Sequence, residues 1–267
     1  MLNLVMQNID ILTHFTEVAR DDRITVYTLK EAERATFLAK LPGPFRVMYI
    51  SDEDLQWRLD NLSTQREDEI SEKIPSDAIL KSGEFTELLA YFLVPERYAP
   101  DCEPRPPKWR WKEEKNIPAH FTDVIFFHQL DTNFPGTNDY VISVETKSRA
   151  SRPGPAESAL QKAINDVEKD FNSRLAESFF HLKTKYKDDR DLDSLSKLTR
   201  FMDAARFPGY LKHFKALAVV DDQYGDSHIG NITQWPIYIK DTFEVILVRI
   251  VELQNGYEET YANMLGT

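Results

Sequence analysis

The sequence predicts an α/β fold in which a mixed central β-sheet is flanked by helices and preceded by an N-terminal α+β segment. From residue 82 onward the predicted order is helix, strand, strand, helix and strand, which is typical of this class. One long segment, 156–180, carries apolar residues at the spacing of an amphipathic helix. Short apolar runs predict the strands, at 121–128, 140–146, 214–220 and 243–250.

The N-terminal segment is predicted to span residues 1–75, and the main domain residues 76–267. Ser51, followed directly by acidic residues, is a helix start with a hydroxyl cap. The predicted elements of this segment are too short to form an independent domain, so we consider a docking region for a partner. Strands are expected at 23–27 and 45–50, and helices at 29–40 and 51–61.

A strongly apolar helix is predicted at 82–94, with Glu84 at its start and Pro95 ending it. A proline-rich stretch follows. Residues 108–112 (KWRWK) then alternate basic and aromatic side chains, which predicts an edge strand or a hairpin arm. Further helices are expected at 191–205 and 253–264.

The composition predicts a globular protein of the reducing cytoplasm. Hydrophobic residues are 42% of the chain and aromatic residues 12%, which is enough for a substantial core. A single cysteine excludes an internal disulfide framework, and the N-terminus lacks the pattern of a signal peptide. No apolar run approaches the roughly 18 residues that a membrane span needs. The net charge of −11 argues against coating nucleic acid with the whole surface, although a nucleic-acid enzyme needs only a local basic patch.

The run VISVETK, residues 141–147, carries most of the functional information. Because strand side chains alternate with period two, Glu145 and Lys147 point to the same face. A second apolar run, 124–127, has Asp123 at its leading edge. Acids at neighbouring strand ends with a lysine beside them indicate a metal-dependent phosphodiesterase site. The alternative is an ordinary surface ion pair, since an E-x-K pair is common on solvated strands.

Phosphodiester hydrolysis accounts for these residue types. The reaction needs an activated water and neutralisation of charge on the phosphoryl oxygens, and Mg²⁺ supplies much of both. Mg²⁺ prefers carboxylate oxygens, so two acids at adjacent strand ends suit it. A nearby lysine can orient the water or stabilise charge in the transition state.

These features resemble the motif of the PD-(D/E)xK nuclease superfamily, and the resemblance implies a restriction-endonuclease-like core. Thr122 stands where a proline is usual. Over about residues 80–250, the order GEFTELLAYFLV, KNIPAHFTDVI, VETK and a long helix is similar to the nuclease subunit of the Hachiman and Abp anti-phage systems. The matching features are a helix acid, a strand acid and a strand motif: Gly83-Glu84, Asp123 and Glu145-Thr146-Lys147.

The resemblance implies a role for each residue of the strand motif. Asp123 and Glu145 would bind the metal, helped by the backbone carbonyl of Thr146. Lys147 would serve the nucleophile and the transition state. The metal would be Mg²⁺, with Mn²⁺ as its substitute.

The resemblance also implies that a helix acid completes the metal site. Glu84 is favoured because a family-like glycine precedes it, and Glu87, one helical turn on, is the alternative. Glu84 would bind the metal or hold a metal-bound water. An acid in the first turn of a helix can equally be a favourable partner of the helix dipole. On the helix after the motif, Gln161 is a candidate for supporting the site or touching DNA.

Two basic stretches are candidates for DNA contact, because basic side chains bind phosphate and aromatic ones stack on unpaired bases. Arg149 and Arg152 follow the motif lysine on a predicted loop, where they would clamp the scissile strand. For both stretches the alternative is a solvated surface. The second stretch includes Trp109 and Trp111, and its basic residues are Arg105, Lys108, Arg110, Lys112 and Lys115.

The leading hypothesis is therefore a Mg²⁺-dependent DNA nuclease of an anti-phage defence system, with DNA and a helicase subunit of the same system as partners and no membrane. A DNA-binding or assembly module that keeps the nuclease fold without cutting is the alternative from another class. A stand-alone restriction or repair nuclease of the same superfamily is the third hypothesis.

Overall fold

A computed structural model gives the structure of the chain. Arg105 lies outside the residues that it describes. No helix within those residues is long and apolar enough to cross a membrane. The described residues are 9–20, 23–98, 100–104, 107–119, 121–131, 134, 136–154, 158–203, 209–236 and 242–267.

Seven strands of the described residues form one mixed sheet. They are β1 (Phe15–Ala19), β2 (Ile24–Leu29), β3 (Glu103–Pro104), β4 (Val124–His128), β5 (Tyr140–Arg149), β6 (Leu211–Asp221) and β7 (Phe243–Ile250). Their order in the sheet is β1-β2-β7-β6-β5-β4-β3. Strands β2, β7, β6 and β5 run parallel, whereas β1, β4 and β3 each pair antiparallel with a neighbour.

Helices cover both faces of this sheet, which confirms the predicted fold class. The N-terminal helices are α1 (Arg34–Lys40), α2 (Pro42–Tyr49), α3 (Asp52–Leu62), α4 (Arg66–Ser71) and α5 (Ala78–Tyr98). The later ones are α6 (Ala159–Lys169), α7 (Leu175–Asp188), α8 (Leu192–Met202), α9 (Gly225–Gly230) and α10 (Leu253–Met264). One apolar core lies between the sheet and helices α2, α5 and α10, and the other lies under α6, α7 and α8.

Alternation along β5 decides which helix layer each of its side chains meets. Ile142 and Val144 join the core under α5, and Val141 joins the core under α6 and α7. The same period of two carries Thr146 to the α5 side and Glu145 to the α6 side. The central strand therefore delivers functional side chains to both faces of the sheet.

The C-terminal elements have the predicted bounds, since β7 covers 243–250 and α10 covers 253–264. Ser51 caps α3 as predicted, because its Oγ accepts a hydrogen bond from the backbone N of Asp54 at 3.0 Å. The helices predicted at 29–40 and 191–205 are present in shorter form, as α1 and α8.

The single helix predicted at 156–180 is wrong in one respect. A π-helical turn at Asp170–Arg174 separates α6 from α7. Such a turn inserts an extra residue into the helix, and π-helical turns are frequent at functional sites. The apolar spacing predicted a helix correctly but does not reveal this insertion.

The strand predicted at 45–50 is also wrong, because these residues belong to α2 and its C-terminal cap. Pro42 occupies the first turn of α2, where its missing N–H does not weaken the helix. Phe45, Met48 and Tyr49 are then buried at helical spacing. A short apolar run of this length fits a strand and a helix equally, and the proline decides between them.

The edge strand or hairpin arm predicted at 108–112 is replaced by a 3₁₀ turn, Lys108–Trp111. Trp109 is 3% exposed, and its ring lies edge-on to Tyr91 at 6.0 Å between centroids. Burying this large aromatic side chain outweighs the alternating pattern, which fits an edge strand only if every second residue faces solvent.

Helix α5 continues through Pro95 to Tyr98, although Pro95 was predicted to end it. Proline removes a helical hydrogen bond, so the last turn needs other support. Glu96 supplies it, because its carboxylate accepts hydrogen bonds from the backbone N of Ile11 at 2.7 Å and of Leu12 at 2.9 Å. The end of α5 is thus tied to the N-terminal segment.

The N-terminal segment contributes two strands to the sheet. Strand β2 pairs in parallel with β7, and β1 pairs with β2 at the edge. Residues of α1 and α2 belong to the core under α5. A docking role for residues 1–75 stays a prediction.

Replacing Glu96 by alanine is expected to lower the free energy of unfolding by about 2 kcal/mol, because two partly buried N–H groups would lose their acceptors. Urea unfolding followed by circular dichroism measures the change. Glu259→Ala, on the exposed face of α10, is the control and should change the free energy by less than about 0.5 kcal/mol. Equal losses in both variants would show that Glu96 does not hold the N-terminal turn.

Candidate functional site

A cleft of about 970 Å³ opens beside β5 and α5. Its walls come from the start of α5, residues 116–119, the end of β5 with the loop that follows, and α10. The predicted site residues that line it are Glu84, Asp123, Thr146, Lys147 and Arg149, together with the alternative acid Glu87.

Asp123 is fixed to the motif strand by hydrogen bonds. Its Oδ2 accepts from the backbone N of Thr146 at 2.8 Å and from Thr146 Oγ1 at 3.0 Å. The antiparallel register that pairs Val124 with Val144 brings these residues together. Asp123 is therefore bonded to the residue that directly follows Glu145 in the motif.

Glu145 is buried and held between two cations. Its side chain is 1% exposed, and its oxygens accept from Lys147 Nζ and from Arg174 Nη2, both at 2.5 Å. Burial raises the pKa of Glu145 and the charge of Asp123 raises it further, whereas Lys147 and Arg174 act in the opposite direction. Asp123 and Glu145 thus repel each other, and a cation between them would relieve that repulsion.

Lys147 reaches both the cleft and the α6 layer. Its Nζ lies 2.5 Å from Glu145 Oε1 and 2.9 Å from Asp166 Oδ2. Burial disfavours its charge, but Glu145 and Asp123 outweigh this and raise the pKa of Lys147. The ammonium therefore stays charged, and Lys147 is among the residues that line the cleft.

The π-helical turn adds residues that sequence reasoning missed. Arg174 also donates to Asp170 Oδ1 at 2.5 Å, and Asp170 Oδ2 accepts from Ser143 Oγ at 2.6 Å. A signal for this network was present in the sequence, because Asp166, Asp170 and Arg174 are spaced by four on the polar side of an otherwise amphipathic helix.

Glu84 lies in the second turn of α5, not at its start, and is 2% exposed. Its Oε2 accepts from the hydroxyl of Tyr49 at 2.7 Å, and its Oε1 accepts from Lys112 Nζ at 2.5 Å. The hydroxyl of Tyr261 lies 2.8 Å from that of Tyr49. Burial raises the pKa of Glu84, against the effect of Lys112. Both oxygens of Glu84 are therefore engaged within a buried network.

Packing does not require a glycine at position 83, before Glu84. A Cβ at Gly83 would meet no heavy atom within 4 Å, although the residue lines the cleft. The presence of this glycine therefore gives no packing reason to favour Glu84 over the other acid of α5.

Glu87 is the α5 acid that shares a cation with Asp123. Lys108 Nζ lies 2.9 Å from Glu87 Oε2 and 3.7 Å from Asp123 Oδ1. Burial raises the pKa of Glu87, with the charges of Asp123 and Glu84 adding to it and Lys108 opposing it. Glu87 and Asp123 thus face one another across an ammonium group.

The described basic residues of the tryptophan-containing stretch do not form an exposed patch. Lys108 and Lys112 turn inward to the acids of α5, and Arg110 donates to the carbonyl of Val47 at 2.6 Å. Lys115 donates to the carbonyl of Ser71 at 2.8 Å.

The remaining DNA-contact candidates lie outside the network of acids. Arg149 donates to the carbonyls of Ser151 and Arg152, at 3.3 and 3.2 Å, and Arg152 is exposed. Gln161 is held by the backbone of residues 233–234, whose N–H groups donate to its Oε1 at 2.7 and 3.0 Å. A DNA contact by any of these residues stays a prediction.

The donor chemistry of the cleft suits a hard cation, although the acids are not gathered around one point. Among the residues described, no three His, Cys, Asp or Glu side chains are grouped to hold a metal ion. Ammonium groups lie between the acids instead. Even so, Glu87 Oε2 makes no hydrogen bond while buried, and carboxylate oxygens are the ligands that Mg²⁺ prefers. The carboxylates of the cleft are therefore suitable ligands for Mg²⁺, although Lys108 lies between two of them, Glu87 and Asp123.

Comparison with known proteins gives a match over almost the whole chain. A family model described as HamA matches residues 6–264. A search of curated proteins found no match. The matched span includes the N-terminal segment as well as every residue of the cleft.

Replacing Arg174 by alanine is expected to lower the free energy of unfolding by about 3 kcal/mol, because two buried carboxylates would lose a shared cation. Lys169→Ala is the control, since that lysine pairs with Asp166 from a side chain that is 66% exposed, and its loss should be below about 0.5 kcal/mol. Both values come from urea unfolding. Small and equal losses would contradict a structural role for Arg174.

Proposed function

The chain belongs to the HamA family, protein A of the Hachiman defence system, and we propose that it is a metal-dependent DNA nuclease of that system. Family membership implies a role in anti-phage defence. Phosphodiester hydrolysis and joint action with a helicase subunit are the parts that we propose.

One observation carries the proposal. The hydrogen bonds from Thr146 to Asp123 tie one strand acid to the residue beside the other acid, Glu145, and Lys147 of the same strand lines the cleft. A surface ion pair, which is the plain alternative, would leave Glu145 solvated, whereas its side chain is 1% exposed. Burying a carboxylate beside a second acid costs free energy. Such buried pairs of acids are therefore typical of sites that bind a cation or perform a reaction.

Mg²⁺, or Mn²⁺ in its place, would be held by Asp123, Glu145 and the backbone carbonyl of Thr146. Of the two α5 acids, we propose Glu87 for the remaining position, because it shares Lys108 with Asp123 while both oxygens of Glu84 are bonded elsewhere. The bound metal would neutralise charge on the phosphoryl oxygens and help to activate water.

The chain's own residues would perform the remaining work. Lys147 would donate to the phosphoryl oxygens, where negative charge develops in the transition state. Arg174 would favour the ionised form of Glu145, against the effect of burial. Glu84, held by Tyr49 and Lys112, would fix the second turn of α5 beside the cleft.

The DNA strand would lie across the cleft, with Arg149 and Arg152 near its mouth as phosphate contacts. The substrate would be delivered by a helicase subunit of the same system, which is what the family resemblance implies. Gln254 and Tyr257 of α10 also line the cleft, so the DNA strand would pass along this helix as well.

A second candidate function is a DNA-binding or assembly module that does not cut. The observation that favours it is the pairing of each of the four candidate acids, Glu84, Glu87, Asp123 and Glu145, with a cation or a hydrogen-bond donor. Among the described residues there are also no grouped metal ligands. A module of this kind would bind DNA without any dependence on a divalent metal.

Cleavage assays with plasmid and single-stranded DNA separate the two candidates. The purified chain, with its helicase partner, should cut only with Mg²⁺ or Mn²⁺, and Glu145→Gln and Lys147→Met should each lower the rate by about 100-fold or more. Glu168→Gln, an exposed acid of α6, is the control and should cut at the wild-type rate. Absence of metal-dependent cutting, or equal rates in Glu145→Gln and wild type, would rule the nuclease assignment out.

A further inference from the structure

Lys108 is a buried ammonium without a hydrogen bond. The residue is 4% exposed, and its Nζ is fully buried. It forms an ion pair with Glu87 Oε2 at 2.9 Å, but the angles are not those of a hydrogen bond, and both atoms are left unsatisfied in this respect. An ammonium has three N–H donors, so leaving all of them unused in a buried place is costly.

The backbone around Lys108 is well fixed. Trp109 is buried against Tyr91, and the guanidinium of Arg110 donates twice to the carbonyl of Val47, at 3.1 and 2.6 Å. The position of the ammonium between Glu87 and Asp123 is therefore set by the fold, whereas its unused donors leave it free of any directional bond. Such a group can exchange its partners without breaking a hydrogen bond.

Lys112, from the same stretch, is a useful contrast. It also pairs with a glutamate of α5, but its Nζ donates to Glu84 Oε1 at 2.5 Å and to the carbonyl of Lys115 at 2.6 Å. That is the arrangement of a structural buried lysine. The two lysines therefore differ in their bonding although their burial is alike, and only Lys108 points to a ligand.

The acids next to Lys108 line the cleft, so a ligand can reach them. Glu87 and Asp123 are both among the lining residues, and each side chain is 15% exposed. The two carboxylates repel each other, and the Lys108 ammonium lies between them, 2.9 Å from Glu87 Oε2 and 3.7 Å from Asp123 Oδ1. A small cation with oxygen ligands suits that gap better than an ammonium that makes no hydrogen bond there.

We propose that Lys108 Nζ holds the place of the divalent cation between Glu87 and Asp123, and that Lys108 donates to the scissile phosphate once the cation has taken that place. The proposal rests on the proposed nuclease function. It assigns to Lys108 two successive partners, the acids before metal binding and a phosphoryl oxygen after it. No bond is made or broken by the lysine, and no proton needs to leave it.

Competition between the ammonium and the metal has a measurable consequence. In the wild type, a divalent metal must displace the Lys108 ammonium from Glu87 and Asp123, so the apparent affinity of the protein for the metal is reduced. In Lys108→Met that competitor is gone, and the affinity for Mn²⁺ should rise at least tenfold. The same variant lacks the phosphate donor, so its cleavage rate should fall by about 100-fold or more even with saturating Mn²⁺.

The experiment is a calorimetric titration of Mn²⁺ into the intact chain, followed by single-turnover cleavage. A mildly alkaline buffer keeps Glu87 ionised, since its pKa is raised by burial. Lys197→Met is the control, because that lysine lies on α8, pairs with Glu103 and is not among the residues that line the cleft. It should match the wild type in both measurements.

A tenfold gain in Mn²⁺ affinity together with the loss of cleavage supports the proposal, since a substitution that only disturbed the fold would weaken Mn²⁺ binding and cleavage together. Unchanged or weaker Mn²⁺ binding in Lys108→Met overturns it. If Lys108→Met does not fold, Lys108→Gln replaces the ammonium by an uncharged polar group, and the same gain and loss are expected.

The two proposals fail in different ways. If neither the wild type nor the variant binds Mn²⁺ or cuts DNA, the nuclease function fails and the role of Lys108 fails with it. If both bind Mn²⁺ equally and both cut, the nuclease function stands and only the role of Lys108 is overturned.

Discussion

The buried carboxylate of Glu145 is the constraint on which the rest of the site depends. Its place on a central strand of the sheet leaves a charge 1% exposed, so the surrounding structure must compensate it. Lys147 does so from the same strand, and Arg174 does so from the π-helical turn. The π-helical turn between α6 and α7 places Arg174 against the sheet, and Asp170 of the same turn binds the guanidinium of Arg174.

On the other face of the sheet, buried acids are again neutralised by nearby cations, but the two pairs differ in their hydrogen bonds. Two acids of α5 are each paired with a lysine from the stretch that follows Pro107. The pair of Glu84 and Lys112 is closed by hydrogen bonds to Tyr49 and to a backbone carbonyl, so it can serve stability alone. The pair of Glu87 and Lys108 is held by charge without hydrogen bonds, so it can open at smaller cost.

The sequence predicted the elements whose pattern is set locally. Strands β4 to β7 each contain a short apolar run, α10 has clear bounds, and alternation placed Glu145 and Lys147 on one face of β5. It did not predict the partners of these residues, because Arg174 lies 29 positions from Glu145 and pairing across the fold leaves no local pattern. The stretch KWRWK shows the limit most clearly. Its alternation fitted an exposed arm, but two of its lysines neutralise buried acids, and no single-chain pattern tells an inward lysine from an outward one.

The N-terminal segment and the cleft belong to one packed structure, as the extent of the family match suggests. Tyr49, at the end of α2, donates to Glu84, which in turn accepts from Lys112. Tyr261 of α10 meets the hydroxyl of Tyr49, and α10 follows directly from the central strand β7. A contact made by a partner would therefore reach Glu84 through one hydrogen bond from α2 or through two from α10. The stretch that carries Lys112 also carries Lys108, so the same contacts bear on the ammonium between Glu87 and Asp123. On the proposed function, the nuclease must stay inactive until it is needed, and in this fold α2 and α10 are joined to Glu84 by a short hydrogen-bonded path.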